Sequence, residues 1–298
     1  MYKNNITELI GGTPLLKLGN TNIYAKLEYF NPLHSIKDRA AYFMLKGALE
    51  RGEIKEGGTV IEPTSGNTGV GLSYIAPQFG IKSIMVMPDN MSQERIAILK
   101  ILGAQIVLTP ASLGMAGAIQ KAKDLNDTIP NSFIPNQFEN QDNAKAHIET
   151  TSKEIVADLG EITPDYLVAV FGSGGTISGV GKALKERYPD IKVIAVEPKE
   201  SPLLSQGKAG AHKIQGIGAN FIPALLNKDI IDEVRTVESD TAIDTALYAA
   251  RTYGTLVGIS SGAALQASMD IANEHPNANI VTIFPDTGER YLSALKID

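Results

Sequence analysis

Lys37 is the residue whose position in this sequence most clearly suggests chemistry. It lies in residues 31–39, Asn-Pro-Leu-His-Ser-Ile-Lys-Asp-Arg, where Ser35 is a candidate helix N-cap and apolar residues follow at helical spacing. The pattern predicts that Lys37 lies in the first turn of a helix, where the helix dipole disfavours positive charge. Partial burial would further favour the neutral, nucleophilic amine. A solvated Lys-Asp-Arg cluster is the alternative, because most lysines are exposed to water.

A run of five small residues separates the most hydrophobic predicted strand from the helix that follows it. Glycines allow backbone N–H groups to turn towards one point, and the helix dipole adds positive potential, which together favour a bound phosphate. Ile177 replaces the last glycine of a dinucleotide-binding fingerprint, so the run is not one. A tight strand-to-helix turn is the alternative, but the five small residues favour phosphate. We call this run the phosphate loop; it consists of Gly172, Ser173, Gly174, Gly175 and Thr176.

A second loop, residues 64–69, is richer in side-chain donors. Its sequence is Thr-Ser-Gly-Asn-Thr-Gly, between a predicted strand and a predicted helix. Hydroxyls and the amides at the helix start would hold a carboxylate there, and we call it the carboxylate loop. A helix-capping turn explains the same residue types equally well when the loop is taken alone.

Two further loops carry weaker signals. Residues 258–262, Gly-Ile-Ser-Ser-Gly, follow a predicted short strand; we call them the serine loop. Its hydroxyls would contact a ring nitrogen or cap a helix, and capping is favoured when the loop is taken alone. In residues 213–218, Gly216 would let the backbone approach a flat ligand closely.

Together, a candidate amine, a phosphate loop and a carboxylate loop suggest an aldehyde cofactor that bears a phosphate. Pyridoxal 5'-phosphate fits: Lys37 would form the Schiff base, and the cofactor would act as an electron sink. The sequence has no cysteine and its four histidines show no ligand spacing, so we expect no metal site.

The segments that must position these loops alternate between predicted strands and helices. Such alternation predicts an α/β fold with parallel strands joined by right-handed crossovers. At 298 residues we expect two lobes, each a twisted, mainly parallel sheet flanked by helices, with the active site in the cleft between them. The larger, cofactor-binding lobe is assigned residues 1–35 and 146–298, and the smaller, mobile lobe residues 36–145. Ligands in such sheets bind at the carboxyl ends of strands.

Individual elements follow from the same patterns. Residues 59–63 and 166–171 are predicted to be strands, and residues 143–159 to form one helix. Residues 255–259 are predicted to be a short strand that ends in a turn at residues 260–262.

Composition excludes several classes of function. Hydrophobic residues make up 43% and charged residues 20% of the chain, which is typical of a packed globular core. The net charge is −6 and no basic run occurs, which argues against nucleic acid as a partner. No apolar run has the length of a membrane helix or the position of a signal peptide, so we expect a soluble, cytoplasmic protein.

Seven short motifs lie along nearly the whole chain, in the same order in which they occur in one family of enzymes. They are Gly12-Thr13-Pro14-Leu15, Asn31-Pro32-x-x-Ser35-x-Lys37-Asp38-Arg39, Pro63-Thr64-Ser65-Gly66-Asn67-Thr68-Gly69, Asn136-Gln137-Phe138, Gly172-Ser173-Gly174-Gly175-Thr176, His212-Lys213-Ile214-Gln215-Gly216-Ile217-Gly218 and Gly258-Ile259-Ser260-Ser261-Gly262-Ala263. With them the chain resembles the cysteine synthase (O-acetylserine sulfhydrylase) family of pyridoxal-phosphate enzymes, which includes the cystathionine β-synthases and has the type II, tryptophan synthase β-like fold. Each motif alone is weak, but the ordered set is specific.

The resemblance implies a role for each candidate residue. Lys37 would be the Schiff-base lysine and the proton shuttle at the substrate α-carbon, and the phosphate loop would hold the cofactor's phosphate. Asn67 would hydrogen-bond the ring hydroxyl, and Ser260 would face the pyridine nitrogen. A neutral serine leaves that nitrogen largely unprotonated, which favours β-elimination through an α-aminoacrylate over transamination. The substrate would be bound, chiefly by its α-carboxylate, by Thr64, Ser65, Gly66, Thr68, Gln137 and Gly216.

The implied activity is β-replacement on O-acetylserine with sulfide to give cysteine. The sequence departs from the family pattern at Leu33 and His34, where small residues are usual, and at Asn220, where glycine is common. These departures leave open a cystathionine β-synthase, a lanthionine-forming enzyme or a sulfide-releasing cysteine lyase. The resemblance also implies a homodimer and a possible serine acetyltransferase partner. A purely binding role is a further alternative, against which the intact Lys37 argues.

Overall fold

The computed structural model describes residues 2–64 and 66–295 of the chain, which divide into two units. The smaller unit comprises Lys37–Asn143 and the N-terminal residues through Ile10. The larger unit comprises Gly11–Ile36 and the chain from Ala144 onward. The sequence pattern places the N-terminal residues in the larger lobe, whereas the contacts of the residues through Ile10 group them with the smaller unit.

Strands and helices alternate in both units. In the described residues the strands are β1 (Leu15–Lys17), β2 (Ile23–Leu27), β3 (Thr59–Pro63), β4 (Lys82–Pro88), β5 (Gln105–Thr109), β6 (Ser132–Phe133), β7 (Tyr166–Val170), β8 (Lys192–Pro198), β9 (Glu233–Val237) and β10 (Ile280–Phe284). The α-helices are α1 (Lys37–Glu50), α2 (Asn67–Ile75), α3 (Gln93–Ile101), α4 (Gly114–Thr128), α5 (Gln141–Ala146), α6 (Ser152–Leu159), α7 (Gly175–Arg187), α8 (Leu203–Gln206), α9 (Ser239–Tyr253) and α10 (Ile259–Glu274). The 3₁₀ segments are Ile6–Leu9, Glu28–Phe30, Ala76–Phe79, Ala111–Leu113, Lys228–Ile230 and Gly288–Tyr291.

The sheet of the larger unit has the strand order β1-β2-β10-β7-β8-β9. All neighbouring strands run parallel except β1 and β2, which are antiparallel. The central strands β10 and β7 are apolar over most of their length and buried on both faces, as parallel strands covered by helices must be. The first hydrophobic cluster includes α9 and α10, and the second includes α6 and α7.

The sheet of the smaller unit has the order β5-β4-β3-β6, and all its neighbouring strands are parallel. Its two central strands, β3 and β4, are almost entirely buried. The prediction of an α/β fold with mainly parallel sheets flanked by helices is confirmed. None of the described helices combines the length and the apolar character needed to cross a membrane.

Two element predictions were wrong in detail. Gly254, at φ 68°, ends α9, and α10 already begins at Ile259. Of the four residues between Gly254 and Ile259, only Val257 forms a β-bridge to another described segment, so no strand forms there. The helix predicted over residues 143–159 is instead α5, a π-helical segment His147–Thr151, and α6. A local change from i→i+4 to i→i+5 hydrogen bonds over five residues is too short to alter the hydrophobic period of the segment.

Helices α9 and α10 pack with their backbones in close approach at Gly262. A Cβ atom at this position would lie 2.0 Å from the carbonyl oxygen of Ala242 in α9. Only a residue without a side chain fits there, and the contact fixes the helix that begins in the serine loop.

We expect Gly262→Ala to lower the free energy of unfolding by about 1–3 kcal/mol, the usual cost of overpacking a core. Urea or thermal unfolding measures the change. Asn273→Ala, exposed on the same helix, is the control and should change stability by less than about 0.5 kcal/mol. A Gly262→Ala protein as stable as its parent would contradict this close packing.

Candidate active site

The segment that leads to Lys37 is held by the backbone that follows β10. The Ile36 amide donates to the Pro285 carbonyl at 2.8 Å, and the Thr287 amide donates to the His34 carbonyl at 3.3 Å. Ser35 forms an isolated antiparallel bridge with Asp286 between them. Helix α1 begins at Lys37, which therefore lies in its first turn, as the sequence predicts. The prediction that Ser35 is the N-cap was wrong, because Ser35 lies two residues before the helix and forms the bridge with Asp286.

A buried carboxylate, Glu28, joins two of the sequence motifs. The Thr13 hydroxyl donates to Glu28 Oε1 at 2.7 Å, and Asn31 Nδ2 donates to Glu28 Oε2 at 2.9 Å. Asn31 Oδ1 in turn accepts from the Gly11 amide at 2.9 Å. Glu28 and Asn31 are almost completely buried, so these hydrogen bonds are shielded from water. The network therefore joins the motif that contains Thr13 to the motif that contains Asn31 and Lys37.

The phosphate loop lies between the end of β7 and the start of α7. Helix α7 begins at Gly175, with Gly174 as its N-cap at φ 86°. A Cβ atom on Gly172 would lie 2.4 Å from the Gly216 carbonyl oxygen, and one on Gly174 would lie 2.9 Å from Leu226 Cα. The structure therefore brings the phosphate loop and Gly216 together. The two backbones approach so closely that only glycine fits at position 172. The amides of the first helical turn have no helical partners, so the loop fits an anion such as phosphate.

The phosphate loop also contributes two hydroxyl side chains, those of Ser173 and Thr176. Ser173 is 3% exposed, and Thr176 Oγ1 lies 3.3 Å from His147 Nε2. His147 Nδ1 lies 3.0 Å from Thr151 Oγ1, within the π-helical segment. Sequence reasoning missed His147, because the π-helical segment, a feature frequent at functional sites, leaves no signal in the sequence pattern.

Ser260 lies in the first turn of α10 rather than in a separate turn. It is 4% exposed and follows the N-cap Gly258, whose amide donates to the Asp286 carbonyl at 3.0 Å. A Cβ atom on Gly258 would lie 2.1 Å from Asp286 Oδ1, so glycine is required there. The segment after β10 thus holds both the serine loop and the residues before Lys37.

In the smaller unit, the carboxylate loop joins β3 to α2. Thr64 Oγ1 accepts from the Gly66 amide at 3.2 Å, and Asn67 is the first residue of α2. Thr68 is buried, and its hydroxyl donates to Gln137 Oε1 at 2.7 Å. The structure therefore joins two of the predicted carboxylate ligands, which lie far apart in sequence. Ser65 lies outside the described residues.

Gln137 is held from two sides. Its backbone carbonyl accepts from Asn143 Nδ2 at 2.8 Å, and its side-chain nitrogen donates to Glu62 Oε1 at 3.4 Å. Burial raises the pKa of Glu62 to about 8, although hydrogen bonds from the Asn136 and Gln137 amides and the Gln137 side chain oppose the rise. Sequence reasoning missed Glu62, because a single acid in a buried strand gives no motif.

The residues that depart from the family pattern are near the surface. His34 is exposed, with its backbone in the left-handed region at φ 57°, and its Nδ1 lies 3.0 Å from the Tyr29 carbonyl oxygen. A glycine at this position would adopt that backbone without strain. Leu33 is half-buried and its carbonyl accepts from Arg290, while Asn220 is exposed.

A family model described as "Pyridoxal-phosphate dependent enzyme" matches residues 6–286 of the chain. The chain belongs to this family. It is therefore a pyridoxal-phosphate-dependent enzyme, and the predicted cofactor is confirmed. Among the described residues, no cluster of three or more histidine or acidic side chains is placed to hold a metal ion.

Individual proteins show which members of the family this chain is similar to. Cysteine synthase B of Campylobacter jejuni is 52% identical over 97% of this chain and 96% of its own. O-acetylserine sulfhydrylase isoform 3 of Entamoeba histolytica matches with a TM-score of 0.94 and 41% identity, over 98% of this chain and 91% of that structure. The O-acetylserine-dependent cystathionine β-synthase of Helicobacter pylori matches with a TM-score of 0.92 and 41% identity, over 98% of both chains. The resemblance to the cysteine synthase family is confirmed.

We expect His34→Val to be about 1–2 kcal/mol less stable than His34→Gly, because a β-branched residue is strained in the left-handed backbone. Denaturant unfolding of the two variants measures the difference. Gln105→Val, exposed in the extended backbone of β5, is the control for the change of side chain. Equal stability of the valine and glycine variants would show that position 34 does not have this backbone.

Proposed function

We propose that the enzyme converts O-acetylserine and sulfide to cysteine and acetate by β-replacement. The observation that carries the proposal is the hydrogen bond between Thr68 and Gln137, which joins the carboxylate loop to the Asn-Gln-Phe motif in one buried site. An amino-acid carboxylate suits such a set of hydroxyl and amide groups. The family and the relatives named cysteine synthase support the same reaction.

Residues of the larger unit would hold the cofactor's phosphate and its pyridine nitrogen. When bound, the cofactor withdraws electrons from the substrate α-carbon, which makes the α-proton acidic and allows the β-substituent to leave. The amides of residues 172–176, with Ser173 and Thr176, would bind its phosphate. The Ser260 hydroxyl would donate a hydrogen bond to the pyridine nitrogen, and this neutral group would leave the nitrogen largely unprotonated.

The residues of the smaller unit act on the substrate. Lys37 would hold the cofactor through its amine, and that amine would remove the proton from the substrate α-carbon. Acetate leaves the β-carbon with the bonding electron pair, the sulfur of sulfide bonds to that carbon, and Lys37 returns the proton to the α-carbon. Asn67 binds the cofactor's ring hydroxyl.

The remaining residues orient the substrate. Its α-carboxylate would accept hydrogen bonds from the carboxylate loop and from Gln137, and by the family resemblance Gly216 is also assigned to substrate binding. The loop contributes Thr64, Ser65, Gly66 and Thr68.

A second candidate function is β-replacement with another thiol, such as homocysteine, to give cystathionine. The exposed positions of His34 and Asn220, both unlike the usual cysteine synthase residues, favour it, since exposed side chains can meet an incoming thiol. The similarity to an O-acetylserine-dependent cystathionine β-synthase also supports it. Lanthionine formation and sulfide release from cysteine belong to the same group of reactions.

The expected partners are small molecules: an amino acid, and sulfide or a thiol. A homodimer, docking of a serine acetyltransferase and a cytoplasmic location stay predictions from the family resemblance. Gel filtration of the pure protein, alone and with the acetyltransferase, tests the first two.

We expect Lys37→Ala to abolish covalent attachment of the cofactor and to lower turnover by about 10²–10⁴-fold, the usual contribution of a general acid–base. Borohydride treatment followed by mass spectrometry should find the cofactor on Lys37 of the parent and not on the variant. Lys46→Ala, exposed on the same helix, is the control and should keep both properties. Cofactor attached at another residue of the variant would refute the assignment of Lys37.

We expect O-acetylserine with sulfide to turn over at least about 10-fold faster than any other donor and thiol pair, a preference of ~1.4 kcal/mol in the transition state. Chromatographic identification of products from O-acetylserine, serine and cysteine, each with sulfide, homocysteine and cysteine, measures it. Faster turnover with homocysteine would replace the main proposal with the second candidate.

A further inference from the structure

Glu62 is a buried acid for which the proposed reaction has no role. It lies at the second-last position of β3, two residues before the carboxylate loop begins, and is 2% exposed. Its Oε2 has no hydrogen-bond partner among the described residues, while its Oε1 accepts from Gln137 Nε2. Leaving a charged carboxylate so buried and without a cation is costly, which means that the site favours an uncharged acid.

The groups that act on the titration of Glu62 carry no charge. They are the backbone amides of Asn136 and Gln137 and the Gln137 side chain, and the neighbour across β4 is Met85. Because burial outweighs these hydrogen bonds, the pKa of Glu62 rises to about 8 from the ordinary value of 4.5. Glu62 is therefore mainly protonated at neutral pH and becomes charged as the pH rises through 8.

The hydrogen bonds around Glu62 fix which way the Gln137 amide points. The two backbone amides and Gln137 Nε2 all donate towards the Glu62 carboxyl, so this side of the acid must act as an acceptor. Gln137 Oε1 then faces Thr68, whose hydroxyl donates to it at 2.7 Å. A Gln137 amide turned the other way would set two acceptors against each other.

We propose, on the basis of the carboxylate site in the proposed function, that Glu62 is a positioning residue that holds the Gln137 amide nitrogen ready to donate to a substrate carboxylate. It acts as an uncharged acid, so that no negative charge opposes the incoming carboxylate. The second N–H of Gln137 Nε2 is the one that donates a hydrogen bond to the substrate carboxylate. Ionised Glu62 would keep the amide in place but repel the substrate, so binding weakens in alkaline solution.

Steady-state kinetics on the holoenzyme test this at one pH unit below and above 8. In the parent, the KM for O-acetylserine should rise severalfold with pH while kcat stays within about 3-fold. Glu62→Gln, which has the same shape and cannot ionise, should keep the low KM at both pH values. Glu62→Ala should raise KM about 10-fold at both, a loss of ~1.4 kcal/mol. Glu56→Gln, the same change at an exposed position of the same unit, should behave as the parent.

A measurement without turnover separates this proposal from the proposed function. The infrared difference spectrum of the parent between the two pH values should show loss of a neutral carboxyl band, which Glu62→Gln should lack. If O-acetylserine is not consumed but the band is present, the proposed reaction is refuted, while the protonated state of Glu62 is supported. The positioning role is overturned if the band is absent, if Glu62→Gln shows the pH response of the parent, or if folded Glu62→Ala keeps the parent's KM.

Discussion

Hydrogen bonds from the backbone just after β10 are the constraint on which the larger unit's loops depend. Residues 285–288 accept from or donate to the segment that ends at Ile36, and they also bind the Gly258 amide at the start of α10. Neither segment belongs to a strand, so neither has a ladder of its own to fix its position. The register of β10 between β2 and β7 therefore sets where the residues before Lys37 and the turn that carries Ser260 lie.

The groups assigned to bind anions are dipoles rather than cations. The phosphate loop offers helix N-terminal amides and hydroxyls, and the carboxylate loop offers hydroxyls with the amide of Gln137. Buried dipoles are fixed by the fold and need no counterion when the site is empty, whereas a buried cation would. The same logic accounts for an uncharged Glu62 beside the carboxylate loop, where a negative charge would cancel the effect of the dipoles.

The sequence predicted those parts of the molecule that follow from short-range patterns. The placement of Lys37 in the first turn of a helix, the bounds of β3 and the position of the phosphate loop between a strand and a helix were correct, because hydrophobic period and glycine spacing are local signals. It did not predict the π-helical segment with His147, the bridge at Ser35 or the acid at Glu62. Each of these depends on a partner distant in sequence: Thr176, Asp286 and Gln137. Such pairings are set by the tertiary fold, and one sequence carries no record of them.

The division of the chain has a consequence for how the protein is made. The smaller unit, apart from the N-terminal residues, is one continuous stretch, Lys37–Asn143, inserted between β2 and β7 of the larger unit. All four strands of the smaller sheet lie within this stretch. The larger sheet is complete only with β10, which lies between β2 and β7 and is the last strand of the described chain. Until β10 has been synthesised, the inner edges of β2 and β7 stay open to pairing with other chains, a hazard of such long-range topology.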